Sequence, residues 1–168
     1  MKTKFLSAVI ILVIIACTSK NQSLLSQDEK EKVVKEIDLV INSIFDGWRN
    51  LDVNKAFKES FSDSPDFNYI GVDGSIMTYT DFFNIAKKEF DSQKKSEFNI
   101  NEKKIVVISS DIAVVSLNYS GTFYSTDSKL TFPNCGGTFI LKKIEDKWKV
   151  IHFQESIQES KFVVTKIN

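Results

Sequence analysis

The chain has 168 residues, 42% of them hydrophobic and 26% charged, enough for one compact domain and little more. Twenty-two basic residues balance twenty-two acidic ones, which sets nucleic-acid binding aside, since such modules are clearly basic. Arg49 is the only arginine, so a large clamp for phosphates or carboxylates is not expected.

Met1 to Lys4 carries two lysines, and an almost unbroken apolar run follows from Phe5 to Ala16. That run is too short for the roughly 20 residues of a membrane-spanning helix. A charged start, a short apolar middle and a small residue at the end describe an export signal. The stretch Ile14-Ile15-Ala16-Cys17 resembles the lipobox of bacterial lipoproteins. The resemblance implies that residues 1–16 are removed and that Cys17 is lipidated. Residues 17–26 then form a tether, and the domain sits on a bacterial membrane, the outer one, facing the periplasm. Acyl chains contribute about 0.8 kcal/mol per buried CH2, so several of them hold a protein on a membrane without a spanning segment. With Cys17 acylated, Cys135 has no partner in the chain and no internal disulfide is expected.

The folded domain is expected over residues 27–160, with 161–168 as a tail. Ser26 and Glu29 form a capping-box pattern. Val33, Val34, Ile37, Val40, Ile41, Ile44, Phe45 and Trp48 then recur at helical spacing, predicting a long helix from Gln27 to Trp48. Asp52 can cap a short second helix over 53–60, with Ala56 and Phe57 facing inward. A short strand over 66–71 ends at the turn Asp73-Gly74. Thr78 and Asp81 open a third helix with an aromatic face of Phe82, Phe83 and Phe90. The pattern then changes to strand: 98–108 with a slip near Glu102 to Lys104, then 112–124, then 130–144 with a break near Cys135-Gly136-Gly137. Glu145-Asp146 turns into a last strand that carries His152, the single histidine. Three helices and four long sequential strands predict an α+β fold, a curved antiparallel sheet wrapped around the first helix.

In order and spacing, four stretches resemble the NTF2-like superfamily and its cystatin-like cone, in the SnoaL-like or DUF4440 branch. They are the Trp48-to-Asp52 helix end, Asp66 to Gly74, Gly137 to Leu141, and Asp146 to His152. In that branch the last strand often carries two histidines two residues apart; here the second position is Gln154. The resemblance implies a half-open pocket and carries no single function, because this fold serves isomerases, dehydratases and binding modules alike.

Trp148, Val150, His152, Gln154 and Ser156 share one face by the two-residue period of a strand. This row is expected to floor the pocket, with Trp48, Tyr69 and Tyr119 as further lining. The expected ligand is a small, partly apolar molecule. The first alternative is an isomerase or dehydratase with His152 as acid or base, and the second a protein-interaction module acting through the sheet. Asp38, Asp46 and Asp66 are possible acids that spacing does not distinguish. One histidine and one free thiol leave the usual zinc sets unmet, so no metal or cofactor is expected. The opposite row, Ile151 and Phe153 flanked by Lys149 and Glu155, is expected to be an apolar outer patch. A homodimer partner or the tail segment Phe162-Val163-Val164 would cover it.

Overall fold

The computed structural model describes residues 25–157 and 163–166. The residues expected to form the signal peptide, the lipidation site and most of the tether fall outside that range. Helix α1 spans Gln27–Asn50. Its start follows from the capping box: the Ser26 side chain accepts from the Glu29 backbone N–H while the Glu29 carboxylate accepts from the Ser26 N–H. It ends at Leu51, whose left-handed backbone (φ 55°) turns the chain away. A single π-helical turn, Asn54–Lys58, takes the place of the short second helix. The Asp52 carboxylate accepts from the Asn54 and Lys55 N–H groups at 3.1 and 3.0 Å. Gly47 is required where this turn crosses α1, because a Cβ there would lie 2.4 Å from the Ala56 backbone nitrogen. Helix α2 spans Tyr79–Ser92 behind the Thr78 cap and buries Phe82, Ala86 and Phe90.

The strands are β1 (Asn68–Ile70), β2 (Ile76–Met77), β3 (Lys95–Val107), β4 (Ile112–Tyr124), β5 (Ser128–Ile144), β6 (Lys147–Ile157) and β7 (Val163–Lys166). They form one sheet in the order β2-β1-β6-β5-β4-β3, with β7 paired to β5. The β1–β6 pairing is parallel, Tyr69 lying opposite Phe153; the other strand pairs are antiparallel. Against its inward face α1 lays Ile37, Ile41, Ile44 and Phe45, all with no exposed surface. Rings continue the contact, Phe45 to Tyr119 at 5.5 Å and Trp48 to Phe98 at 5.1 Å. Burial of this kind, at about 25 cal/mol per Å² of apolar surface, is the main stabilising term.

Three irregularities bend the sheet, as β-bulges do. In β3 the register slips between Ile100 and Glu102, slightly before the expected place. In β5 the extra residue lies between Phe132 and Cys135, so the break belongs to Pro133 and Asn134 rather than to the glycines after them. Proline has no N–H to donate to a ladder.

The third irregularity changes the site. On β6, Val150 pairs with Leu141 and His152 with Ile140, which leaves Ile151 as the extra residue. Trp148 and Val150 point inward before the bulge, and Phe153 is fully buried after it. The last strand therefore has no single pocket face. His152, Gln154 and Ser156 fall on the outer side, while Phe153 and Glu155, expected outside, face in. The tail differs from expectation as well. Its strand β7 extends the sheet along β5, Val164 opposite Leu130, and leaves Val163 and Val164 exposed.

Candidate functional site

A cavity of about 360 Å³ opens between α2, the β1–β2 turn and the inward face of the sheet. Trp48, Tyr69 and Tyr119, three of the expected lining residues, are on its wall; His152, Gln154 and Ser156 are not. Its exposed lining residues, Val72, Asp73, Ile85 and Glu89, mark the mouth. Deeper in, rings from both helices and from β1, β3, β4, β5 and β6 surround the space. Gly121 lets β4 approach one of them, since a Cβ there would meet Phe98 Cε1 at 2.4 Å.

The polar centre is Glu155. Tyr69 reaches it from β1, its hydroxyl donating to Oε2 at 2.6 Å, and Tyr119 reaches it from β4, donating to Oε1. Tyr69 is held by stacking on Phe82, with ring centroids 4.3 Å apart, and Tyr119 by edge contacts with Phe45 and Trp48. Glu155 keeps some accessible surface, yet its carboxyl is enclosed deeply enough that burial raises its pKa above the ordinary 4.5. The two tyrosine hydroxyls pull in the other direction and do not cancel the effect. Burial, and next the Glu155 charge, raise both tyrosines far above their usual range, so they stay protonated donors. The carboxyl thus lies nearer to neutral pH than a surface glutamate, suited either to giving and taking a proton or to holding a positive charge.

Glu89 is at the mouth on α2. The protein packed around it raises its pKa, and the charge of Glu155 adds to this, although contact with solvent screens the effect. Cys135 is buried on the same wall, its thiol pushed up to about 11 by burial and then by Glu155. It stays a thiol at neutral pH and is no nucleophile.

Two buried polar atoms of lining residues lack a hydrogen bond, Ser75 Oγ and Trp48 Nε1. Trp48 Nε1 is buried on the cavity wall with no hydrogen bond. The other tryptophan shows the contrast: Trp148 Nε1 donates to Glu36 of α1 at 2.7 Å. A buried donor left unpaired costs about 1–3 kcal/mol, so an acceptor arriving in the cavity would offset a standing penalty.

His152 is half-buried on the outer face, its Nδ1 2.5 Å from Asn68 Oδ1, and burial lowers its pKa. It is a neutral hydrogen-bonding residue tying β6 to β1, outside the cavity. Gln154 and Ser156 border a separate shallow depression over Gly136 and Gly137. The acids left open earlier are engaged elsewhere or exposed: Asp46 with Arg49 at 2.6 Å, Asp38 with Lys103, and Asp66 in solvent.

Residues 37–159 match the profile of the SnoaL-like domain. The chain is a SnoaL-like member of the NTF2-like superfamily. Solved structures resemble this SnoaL-like domain along most of its length. One is a candidate dehydratase of the NTF2-like family from Streptomyces avermitilis, at 10% identity and TM-score 0.67, covering 77% of this chain and 98% of that one. Another is an NTF2-like superfamily protein from Salmonella enterica, at 19% identity and TM-score 0.68, covering 76% and 92%. A hexachlorocyclohexane dehydrochlorinase follows at 9% identity and TM-score 0.66, covering 85% and 94%. At these identities the likeness shows the fold alone. No curated protein matches the sequence.

Glu155 was the residue that periodicity missed. Its neighbours held the signal: Trp148, Val150, Phe153 and Ile157 are four apolar residues that no regular strand places on one face. A one-residue slip between Val150 and Phe153 puts all four inward and carries Glu155 with them.

Proposed function

We propose that this domain binds a small, largely apolar molecule in its cavity, on a chain held at a bacterial membrane through Cys17. The observation that supports it best is the cavity itself. Its size falls within the range of small-ligand sites, and it joins apolar walls to a few convergent polar groups. The Tyr69–Glu155–Tyr119 set supplies an orienting point, and Trp48 Nε1 is an unpaired donor within the wall. A thermal-shift and native mass-spectrometry screen of small apolar compounds tests this. Binders that stabilise the wild type and lose affinity in Trp48→Phe support it, and the absence of any binder sinks it. For the anchor, Cys17→Ser is expected to move the protein from the membrane fraction to the soluble one; continued retention would contradict lipidation.

A second reading has its own observation, the raised carboxyl of Glu155 beside two tyrosine donors. An isomerase or dehydratase would use Glu155 as its proton carrier in place of His152, which lies on the outer face. Turnover retained in His152→Ala and lost in Glu155→Gln would select this reading; the reverse would discard it.

A further inference from the structure

We infer that the cavity is built for an organic cation, a small apolar amine that is protonated at neutral pH. The inference rests on the cavity being a ligand site and names the chemistry of its occupant.

The first observation is a missing partner. Asp73, Glu89 and Glu155 line the cavity, and among the described residues no lysine, arginine or histidine does. Elsewhere the fold supplies cations to its acids: Lys143 to Glu36, Lys103 to Asp38, Arg49 to Asp46. None of the three cavity acids has an ion pair among the described residues, although burial bears heavily on the Glu155 carboxyl. A carboxylate removed from water needs a counter-charge. Here the protein offers two phenol hydroxyls instead, which leaves the charge itself to a proton or to the ligand.

The second observation is the wall. The rings of Trp48, Phe98, Tyr119 and Phe153 are packed around this acid-lined space, and an ammonium is attracted to aromatic faces. Negative potential and ring faces together favour a cation, tolerate a neutral molecule and repel an anion. The third observation is independent of charge. The buried, unpaired Nε1 of Trp48 on the same wall shows a polar contact not yet made within the protein, so an amine that also carries a hydroxyl, ether or carbonyl oxygen satisfies both demands.

Binding is then linked to protons. Glu155 from β6 and Glu89 from α2 both have raised carboxyl pKa values, from burial first. Asp73, in the β1–β2 turn, is lowered by the neighbouring Ser75 and is already ionised. Tyr69 from β1, Tyr119 from β4 and Cys135 from β5 keep their protons. An arriving ammonium displaces a proton from the carboxyl it meets, so affinity rises as pH rises through the carboxyl range.

The test is calorimetry on the full-length chain with three probes of one shape: 4-phenylbutylamine, 4-phenylbutanol and 4-phenylbutyrate. The amine is expected to bind at least about tenfold more tightly than the alcohol, and the carboxylate not at all. The amine's affinity is expected to rise between about pH 5 and 8. Glu89→Gln, at the exposed mouth, and Glu155→Gln, in the interior, should each narrow the gap between amine and alcohol. Equal or tighter binding of the alcohol, or any preference for the carboxylate, overturns the cation while leaving a ligand cavity in place. Amine preference unchanged in both variants also overturns it. No binding of any probe overturns it together with the reading of the cavity as a binding site.

Discussion

Glu155→Gln offers a stability measurement whose sign follows from the structure. The folded pKa of Glu155 lies above the ordinary 4.5 because burial outweighs the hydroxyls of Tyr119 and Tyr69. A group raised on folding binds its proton more tightly in the native state. Its contribution is therefore fully present below about pH 4.5 and is lost as pH rises through the folded pKa. Each pKa unit of elevation corresponds to about 1.4 kcal/mol. Glutamine keeps the shape: its amide oxygen can accept from one tyrosine, and its NH2 can donate to the oxygen of the other. The quantity to follow is the wild-type unfolding free energy minus that of Glu155→Gln, from urea titrations spaced between about pH 4 and 9. It should fall with rising pH at a slope of at most about 1.4 kcal/mol per unit, then level off above the folded pKa. Glu89 titrates in the same direction, and most of its effect cancels in the difference. What remains is its coupling to Glu155, whose loss in the variant lowers the Glu89 pKa. A flat difference would mean that the folded pKa of Glu155 is not raised, and one that rises with pH that Glu155 is held as a stabilised anion; either would refute the argument.

Other outcomes follow from the same wall. Trp48→Phe removes an unpaired buried N–H along with some packing, so its cost to the ligand-free protein is expected to stay below about 1.5 kcal/mol; a loss above about 3 kcal/mol by urea unfolding would show that Nε1 is satisfied. Gly121→Ala drives a methyl into the Phe98 ring, which is wedged between Trp48 and Phe123 at 5.1 Å from each. A destabilisation of about 1–3 kcal/mol is expected, and an unchanged thermal midpoint would contradict the close approach. In a Cys17→Ser background Cys135 should react with a disulfide reagent only on unfolding. Its pKa of about 11 against the usual 9.0 leaves about 100-fold less thiolate at a given pH, so prompt labelling of the native protein would be decisive against its burial.

What the sequence made legible was whatever depends on near neighbours. The Ser26 capping box, the Asp52 cap and the Glu145-Asp146 turn, with φ of 48° and 61°, lie where their side-chain chemistry puts them. Strand β4 keeps its alternation from Ile112 to Tyr124, because its inward residues all meet the same core. Tyr69 and Tyr119 could be anticipated on the inward rows. The β6 bulge was harder, because inserting Ile151 reverses which residues face inward, and a glutamate after it looks like a surface residue. Nor did any local pattern announce Glu89, whose role at the mouth comes from where α2 packs. The bulge sites in β3 and β5 were read within a few residues, since a broken alternation reveals a slip more readily than its position.

The parallel pairing of β1 with β6 has a consequence in time. Residues 68–70 are bonded to 152–154, so one wall of the cavity joins segments far apart in the chain. Strand β1 has its own small hairpin with β2 but waits for the last long strand before it gains its main partner. Closing so long a loop is slow compared with forming β3 to β5, whose antiparallel neighbours follow each other directly. A chain still emerging, or one cut short before Glu155, would hold most of the sheet and Tyr119 yet lack a cavity. Tyr69 and Tyr119 meet on a single carboxyl only once the chain is nearly complete. Loss of its far end would thus remove the site first and the sheet later.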